Sequence, residues 1–190
     1  MFKPKTKEEL QKIIKQEIKK QGNNANLNHI DVSDITDMSY LFHLSRFNGD
    51  ISLWNVSNVR NMNYMFSYSR FNGDISQWDV SNVENMESMF QNGEFNQDIS
   101  NWDVSNVKNM NYIFAFSKFN QDISSWDVSK VNFMKYMFFM TNFDKNLSKW
   151  KISKQANIKG IFLKSKITKK DVLEWKWKIP EGFKLDYLFG

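Results

Sequence analysis

The sequence points to an α/β repeat solenoid: a right-handed superhelix of short parallel strands and short helices or coils, closed by an N-terminal capping helix and a C-terminal cap. Three observations carry this expectation. The segment Phe47-Asn48-Gly49-Asp50-Ile51-Ser52 opens a pattern that recurs from Phe71, Phe95 and Phe119, and more loosely from Phe143, at a period of 24 with no slip. Within each period the apolar residues hold fixed columns. The 190 residues also carry 17 Phe, 7 Trp and 6 Tyr among many Asn, Ser and Asp, so large rings must be stacked somewhere in a chain of negative mean hydropathy.

Residues 1–24 read as an amphipathic capping helix. Thr6-Lys7-Glu8-Glu9 has capping-box spacing, Leu10, Ile13, Ile14 and Ile18 form one apolar stripe, and Gly22 suits the C-cap. Residues 25–164 are six repeats of 24, the first and last degenerate. Ile51-x-x-Trp54-x-Val56 matches the strand signature of leucine-rich repeats, with Trp54 and Val56 pointing inward and Leu53, Asn55 and Ser57 outward. Met62, Met65 and Phe66, spaced i, i+3, i+4, fit a short helical turn on the opposite side. Polar turns such as Arg70-Phe71-Asn72-Gly73-Asp74 lead back to the next strand. Residues 165–190 make the C-terminal cap. There Trp175-Lys176-Trp177-Lys178-Ile179 alternates like a final strand, with either Trp175 or Trp177 continuing the Trp column. Phe183, Leu185, Tyr187, Leu188 and Phe189 close the far end.

Composition narrows the function. With no cysteine, a disulfide framework, a redox thiol and a cysteine zinc site are excluded. The formal charge of +5 belongs to the ends: residues 1–22 carry +4 and 143–190 carry +7, whereas 23–142 carry −6. A duplex binder needs its cations in one stripe that tracks phosphates, so nucleic acid is not the expected partner. No stretch approaches the roughly 18 apolar residues of a membrane span. The start from Met1 to Leu10 lacks an apolar signal core, which points to the cytoplasm for the chain as it stands.

The units Ile75-Ser76-Gln77-Trp78-Asp79-Val80-Ser81-Asn82-Val83-Glu84-Asn85-Met86 and Phe119-Asn120-Gln121-Asp122-Ile123-Ser124-Ser125-Trp126-Asp127-Val128-Ser129 resemble the repeat of BspA-like leucine-rich-repeat surface proteins and lipoproteins of host-associated bacteria. The resemblance spans about residues 25–164. It implies a surface-displayed or secreted module that binds host proteins or other cells and has no catalytic residues.

The candidate partner-binding residues lie on the concave strand face. Leu53, Gln77, Asn101 and Ser125 vary between positions that repeat almost unchanged, and Asn55, Asp79, Asp103 and Asp127 stand beside them. The aspartate column is held either by Asx turns or by a cation such as Ca²⁺ between turns. The Trp column and the Met column read as core. Tyr40, Tyr64, Tyr112 and Tyr136, with Tyr68, Phe116, Phe139 and Met140, are either half-buried packing or an exposed aromatic patch. A catalytic serine would be singular and paired with a base, but the Ser column repeats six times and both histidines, His29 and His43, sit in the first repeat. No catalytic residue, cofactor or metal ligand is therefore assigned. The expected function is a non-catalytic scaffold that binds a protein, from host or bacterium. The terminal lids favour a monomer, and the alternatives are a self-associating structural solenoid or a glycan-binding module.

Overall fold

A computed structural model describes residues 2–177, 179–180 and 182–190. Among these there are two α-helices, α1 (Lys7–Gln21) and α2 (Lys169–Trp175), one 3-10 turn (Leu185–Leu188), and no named strand. Parallel pairing shrinks to single-residue bridges: Asp37↔Asn61, Asn61↔Asn85, Asn85↔Asn109, Asn109↔Phe133 and Phe133↔Asn157. The expectation of an α/β solenoid of leucine-rich-repeat type is thus wrong. The chain is a stack of irregular coils that keep the 24-residue register.

The strand fails because the coil turns too often. Ile51–Trp54 closes with Trp54 N–H on Ile51 O (3.2 Å), and Val56–Val59 closes with Val59 N–H on Val56 O (2.8 Å). Side chains lock these corners. Asp50 Oδ1 accepts the Ser52 N–H (3.0 Å), Asn55 Oδ1 the Ser57 N–H (3.1 Å), Asn61 Oδ1 the Asn63 N–H (3.2 Å) and Ser69 Oγ the Phe71 N–H (3.0 Å). Such Asx and hydroxyl turns compete with regular secondary structure for the backbone donors, and they account for the wealth of Asp, Asn and Ser.

The helix fails for a different reason. Residues 62–69 run as consecutive β-turns, with Met65 N–H on Met62 O and Ser67 N–H on Tyr64 O (both 3.2 Å). The alternate N–H groups, of Met62, Tyr64, Phe66 and Tyr68, leave the coil and bond Asn85 O, Glu87 O, Met89 O and Gln91 O of the next one at 2.8 to 2.9 Å. An α-helix would send every N–H back along itself and offer a neighbouring coil nothing. Half the donors close turns while the other half zip coils together, so both kinds of amide are satisfied. This turn ribbon needs positive φ at two places per coil: Tyr40 and Leu44, Tyr64 and Tyr68, Ser88 and Asn92, Tyr112 and Phe116, Tyr136 and Met140. In the last coil the first place is Gly160 (φ 62°), where a Cβ would lie 2.4 Å from the Tyr136 ring.

Inside, the rings stack in columns. Phe42, Phe66, Phe90, Phe114, Phe138 and Phe162 follow one another at 5.5 to 5.9 Å, and Phe47, Phe71, Phe95, Phe119 and Phe143 at 6.1 to 6.5 Å. Within a coil the two columns touch, as in Phe114–Phe119 at 3.9 Å. Trp54, Trp78, Trp102, Trp126 and Trp150 are buried, and each gives its Nε1–H to the carbonyl 27 residues earlier at 3.0 to 3.1 Å. Burying a Phe side chain contributes about 1.5 to 3 kcal/mol, so these columns are the main source of stability.

Each end of the stack is finished differently. Thr6 caps α1 by accepting the Glu9 N–H (3.2 Å), but the Glu9 carboxylate takes the Lys5 N–H (2.7 Å) in place of that of Thr6. Leu10 and Ile14 of α1 join the core. Lys3 pairs with Asp31 (3.0 Å), Lys5 with Asp34 and Lys7 with Asp37 (3.3 Å), so the basic N-terminal segment neutralises the first coil's acids. At the other end the expected strand is absent: Trp175 ends α2, Lys176 is left-handed (φ 55°), and Lys178 lies outside the described residues. Trp177 continues the Trp column, stacking on Trp150 at 6.3 Å and donating to Leu147 O (2.9 Å). Tyr187 O and Leu188 O accept the N–H groups of Gly160 (2.6 Å) and Phe162 (2.8 Å), standing in for a further coil.

Candidate functional site

Leu53, Asn55, Gln77, Asp79, Asn101, Asp103, Ser125 and Asp127 are all exposed, but they occupy turn corners, since there is no strand face to carry them. Their roles divide. Asp79, Asp103 and Asp127 each accept the N–H of the serine two residues on, at 3.0 to 3.1 Å, as Asn55 does. Of the variable residues, Leu53 is 78% exposed, and Asn101 and Ser125 edge a shallow polar recess of about 350 Å³. Among the described residues no three His, Cys, Asp or Glu side chains gather as a metal site would need.

The same hydrogen bonds set the charge state of the corners. The Ser33 hydroxyl, its backbone N–H and the Lys3 ammonium hold the Asp31 carboxyl down to about 2. Ser105 lowers Asp103 in the same way, and Ser129 lowers Asp127. A carboxylate depressed in the folded state stabilises it above the unfolded pKa, and that contribution is lost as pH falls through the folded value. The melting temperature is therefore expected to stay level from neutral pH to about 5 and to drop between about pH 4 and 2. Asparagine keeps the turn, as Asn55 shows, but does not titrate. The variant D103N/D127N, followed by circular dichroism, should melt with a shallower acid drop. An equal drop would place the acid sensitivity elsewhere.

A second surface runs along the outer side of the turn ribbon. Tyr40 stacks on Tyr64 at 4.8 Å and Tyr112 on Tyr136 at 5.2 Å. Burial, then the neighbouring Tyr136 and Tyr64 hydroxyls, pushes the Tyr112 phenol up. One turn further on, Leu44 is 68% exposed, Tyr68 47% and Phe116 41%, with Met140 in the same row. All four have positive φ, from 52° to 60°. Ser88 and Asn92 interrupt both rows in the third coil. Leu44 escaped the sequence reading, although stepping back one period from Tyr68 reaches it.

The fold also makes one His–Ser pair across coils, His43 Nδ1 to Ser67 Oγ at 2.6 Å. Ser67 is fully buried and its hydroxyl donates to Tyr64 O (3.0 Å), so His43 supplies the proton between them. The pair braces the ribbon and leaves no free nucleophile.

A family model described as Mycoplasma protein of unknown function, DUF285, matches residues 9–115 and again residues 91–177. The chain belongs to this family. The two DUF285 matches overlap within the repeats, as a periodic sequence allows, and together they take in most of α1, the coils and α2. No curated protein and no solved structure matches the chain. Among the described residues no helix is long and apolar enough to cross a membrane.

Proposed function

We propose that this DUF285 chain is a non-catalytic repeat scaffold that binds another protein, a surface or host- and cell-interaction module of the kind its BspA-like repeats resemble. One observation supports this reading above the rest: large apolar side chains stand exposed where the backbone makes them costly. A non-glycine residue with left-handed φ loses roughly 1 to 2 kcal/mol, and Asn or Gly avoids much of that. The ribbon accepts Asn92 at the equivalent place, and Gly160 in the companion row, yet uses Leu44, Tyr68, Phe116 and Met140 in the other coils of this row. Strain combined with exposed aromatic and apolar area is what a protein-docking surface presents.

The test separates folding from binding. L44N/F116N is expected to melt at the same temperature or higher than the parent, while binding to a panel of host extracellular-matrix proteins, read by surface plasmon resonance, is lost. Q77K/N101K on the corner row is the comparison: loss of binding there with binding retained in L44N/F116N would assign the interface to the corner row.

A further inference from the structure

A groove of about 750 Å³ opens across the first three coils, lined by Asn23, Asn24, Arg46, Asn48, Arg70, Asn72 and Glu94. Gly49 and Gly73 stand where later coils carry Gln97 and Gln121. Gln121 reaches back to Asn96 O (2.9 Å) and Oδ1 (3.2 Å), so in that coil a side chain already bonds the asparagine equivalent to Asn48 and Asn72. A Cβ on Gly49 would lie 2.0 Å from Ala25 O, so the first coil's backbone leaves no room for a side chain there.

Two cations and one acid face this groove. Arg46 and Arg70 are exposed one period apart, and the acid one period beyond Arg70, Glu94, is paired with Lys118. Elsewhere the coils alternate charge: Glu84 sits between Arg60 (3.1 Å) and Lys108 (2.5 Å). Beneath the arginines, Asn48 Oδ1 accepts the Asn72 N–H (2.7 Å) and Asn72 Oδ1 accepts the Asn96 N–H (2.8 Å). Both asparagines line the groove with these oxygens already accepting backbone N–H groups.

Two guanidinium groups and two asparagine amides thus meet in one open, polar groove, beside a Glu94 that is already paired with Lys118. The geometry points to a binding site for an acidic oligosaccharide, its carboxylate or sulfate groups held by Arg46 and Arg70 and its hydroxyls by Asn48 and Asn72. Guanidinium forks match oxyanions bidentately. No aromatic side chain lines the groove, so it offers neither a platform for a nucleobase nor the anchors of a protein interface. The site lies on a different stretch of the coil from the aromatic ribbon and does not rest on the protein-binding reading.

Isothermal titration calorimetry on the full chain tests it with oligogalacturonate, a sulfated dextran oligomer and neutral maltohexaose. Saturable binding of one or both acidic oligomers, with none of maltohexaose, is expected. The acidic oligomer that binds identifies carboxylate or sulfate as the group recognised. Arg46→Ala and Arg70→Ala should each weaken it about tenfold or more, and K135A/K159A should leave it unchanged. Arg46 and Arg70 are exposed, so their variants keep the parent's melting temperature and carry the test. Failure of both acidic oligomers to bind, equal binding by the arginine variants, or equally tight binding of oligoglutamate would overturn the assignment.

Discussion

Trp102→Ala should lower stability by about 3 to 5 kcal/mol in urea unfolding. The indole is 3% exposed in the middle of the stack and packs on Phe90 with centroids 6.3 Å apart. Its Nε1–H bonds Ile75 O at 3.1 Å, but that carbonyl also accepts the Trp78 N–H at 3.2 Å, so truncation leaves no orphaned acceptor. The loss is therefore a cavity effect. Trp102→Phe keeps most of the ring volume and should cost only about 1 to 2 kcal/mol, from the lost hydrogen bond and a smaller void. Coils touch only their neighbours, so a void between two of them is relieved by neither end of the stack. A loss below about 1 kcal/mol for Trp102→Ala would mean that the indole does not fill the core.

What the sequence made legible was the period and the columns. Trp54, Val56, Val59, Met62, Met65 and Phe66 are all buried, because an inward side chain every coil is a property of register and survives any local backbone. The backbone itself was not legible. Met62, Met65 and Phe66 have helical spacing, yet a row of β-turns presents the same positions inward. The sequence does not say whether an N–H closes a turn or crosses to the next coil. Positive φ at Tyr64 and Tyr68 was equally hidden, since tyrosine is a poor marker of that conformation. The Asp and Asn corners contained the missing signal. Polar turn formers at positions 50, 55 and 61, three times within half a period, leave no run long enough for a strand, and the same carboxylates then serve as locks for serine N–H groups. Of the expected interaction residues, Asp79, Asp103 and Asp127 are exposed and make the Asx turns that were one of the two accounts of their column. The Arg46 and Arg70 pair was visible only as a difference between repeats: arginine in the early coils, Glu94 and Lys118 one and two periods on.

Tyr112→Pro should cost more than about 3 kcal/mol and unzip two coils. Tyr112 has φ 56° and gives its N–H to Lys135 O at 2.9 Å. Proline fixes φ near −65° and has no N–H, so it fits neither the turn nor the junction and leaves the Lys135 carbonyl without its donor. That result alone would also be seen in a helix. Leu44→Gly separates the two, because the expected sign reverses. In a helix interior glycine costs about 1 kcal/mol relative to alanine. In the ribbon, Leu44 is already left-handed at φ 56°, and glycine removes roughly 1 to 2 kcal/mol of strain while adding roughly 0.5 to 1 kcal/mol of chain entropy. Leu44 is largely exposed, so little packing is lost. Chemical denaturation should therefore show Leu44→Gly equal to or up to about 1 kcal/mol more stable than the parent, beside a collapsed Tyr112→Pro. A clear loss in Leu44→Gly would put helix-like backbone at this position and remove the backbone strain on which the proposed docking row rests.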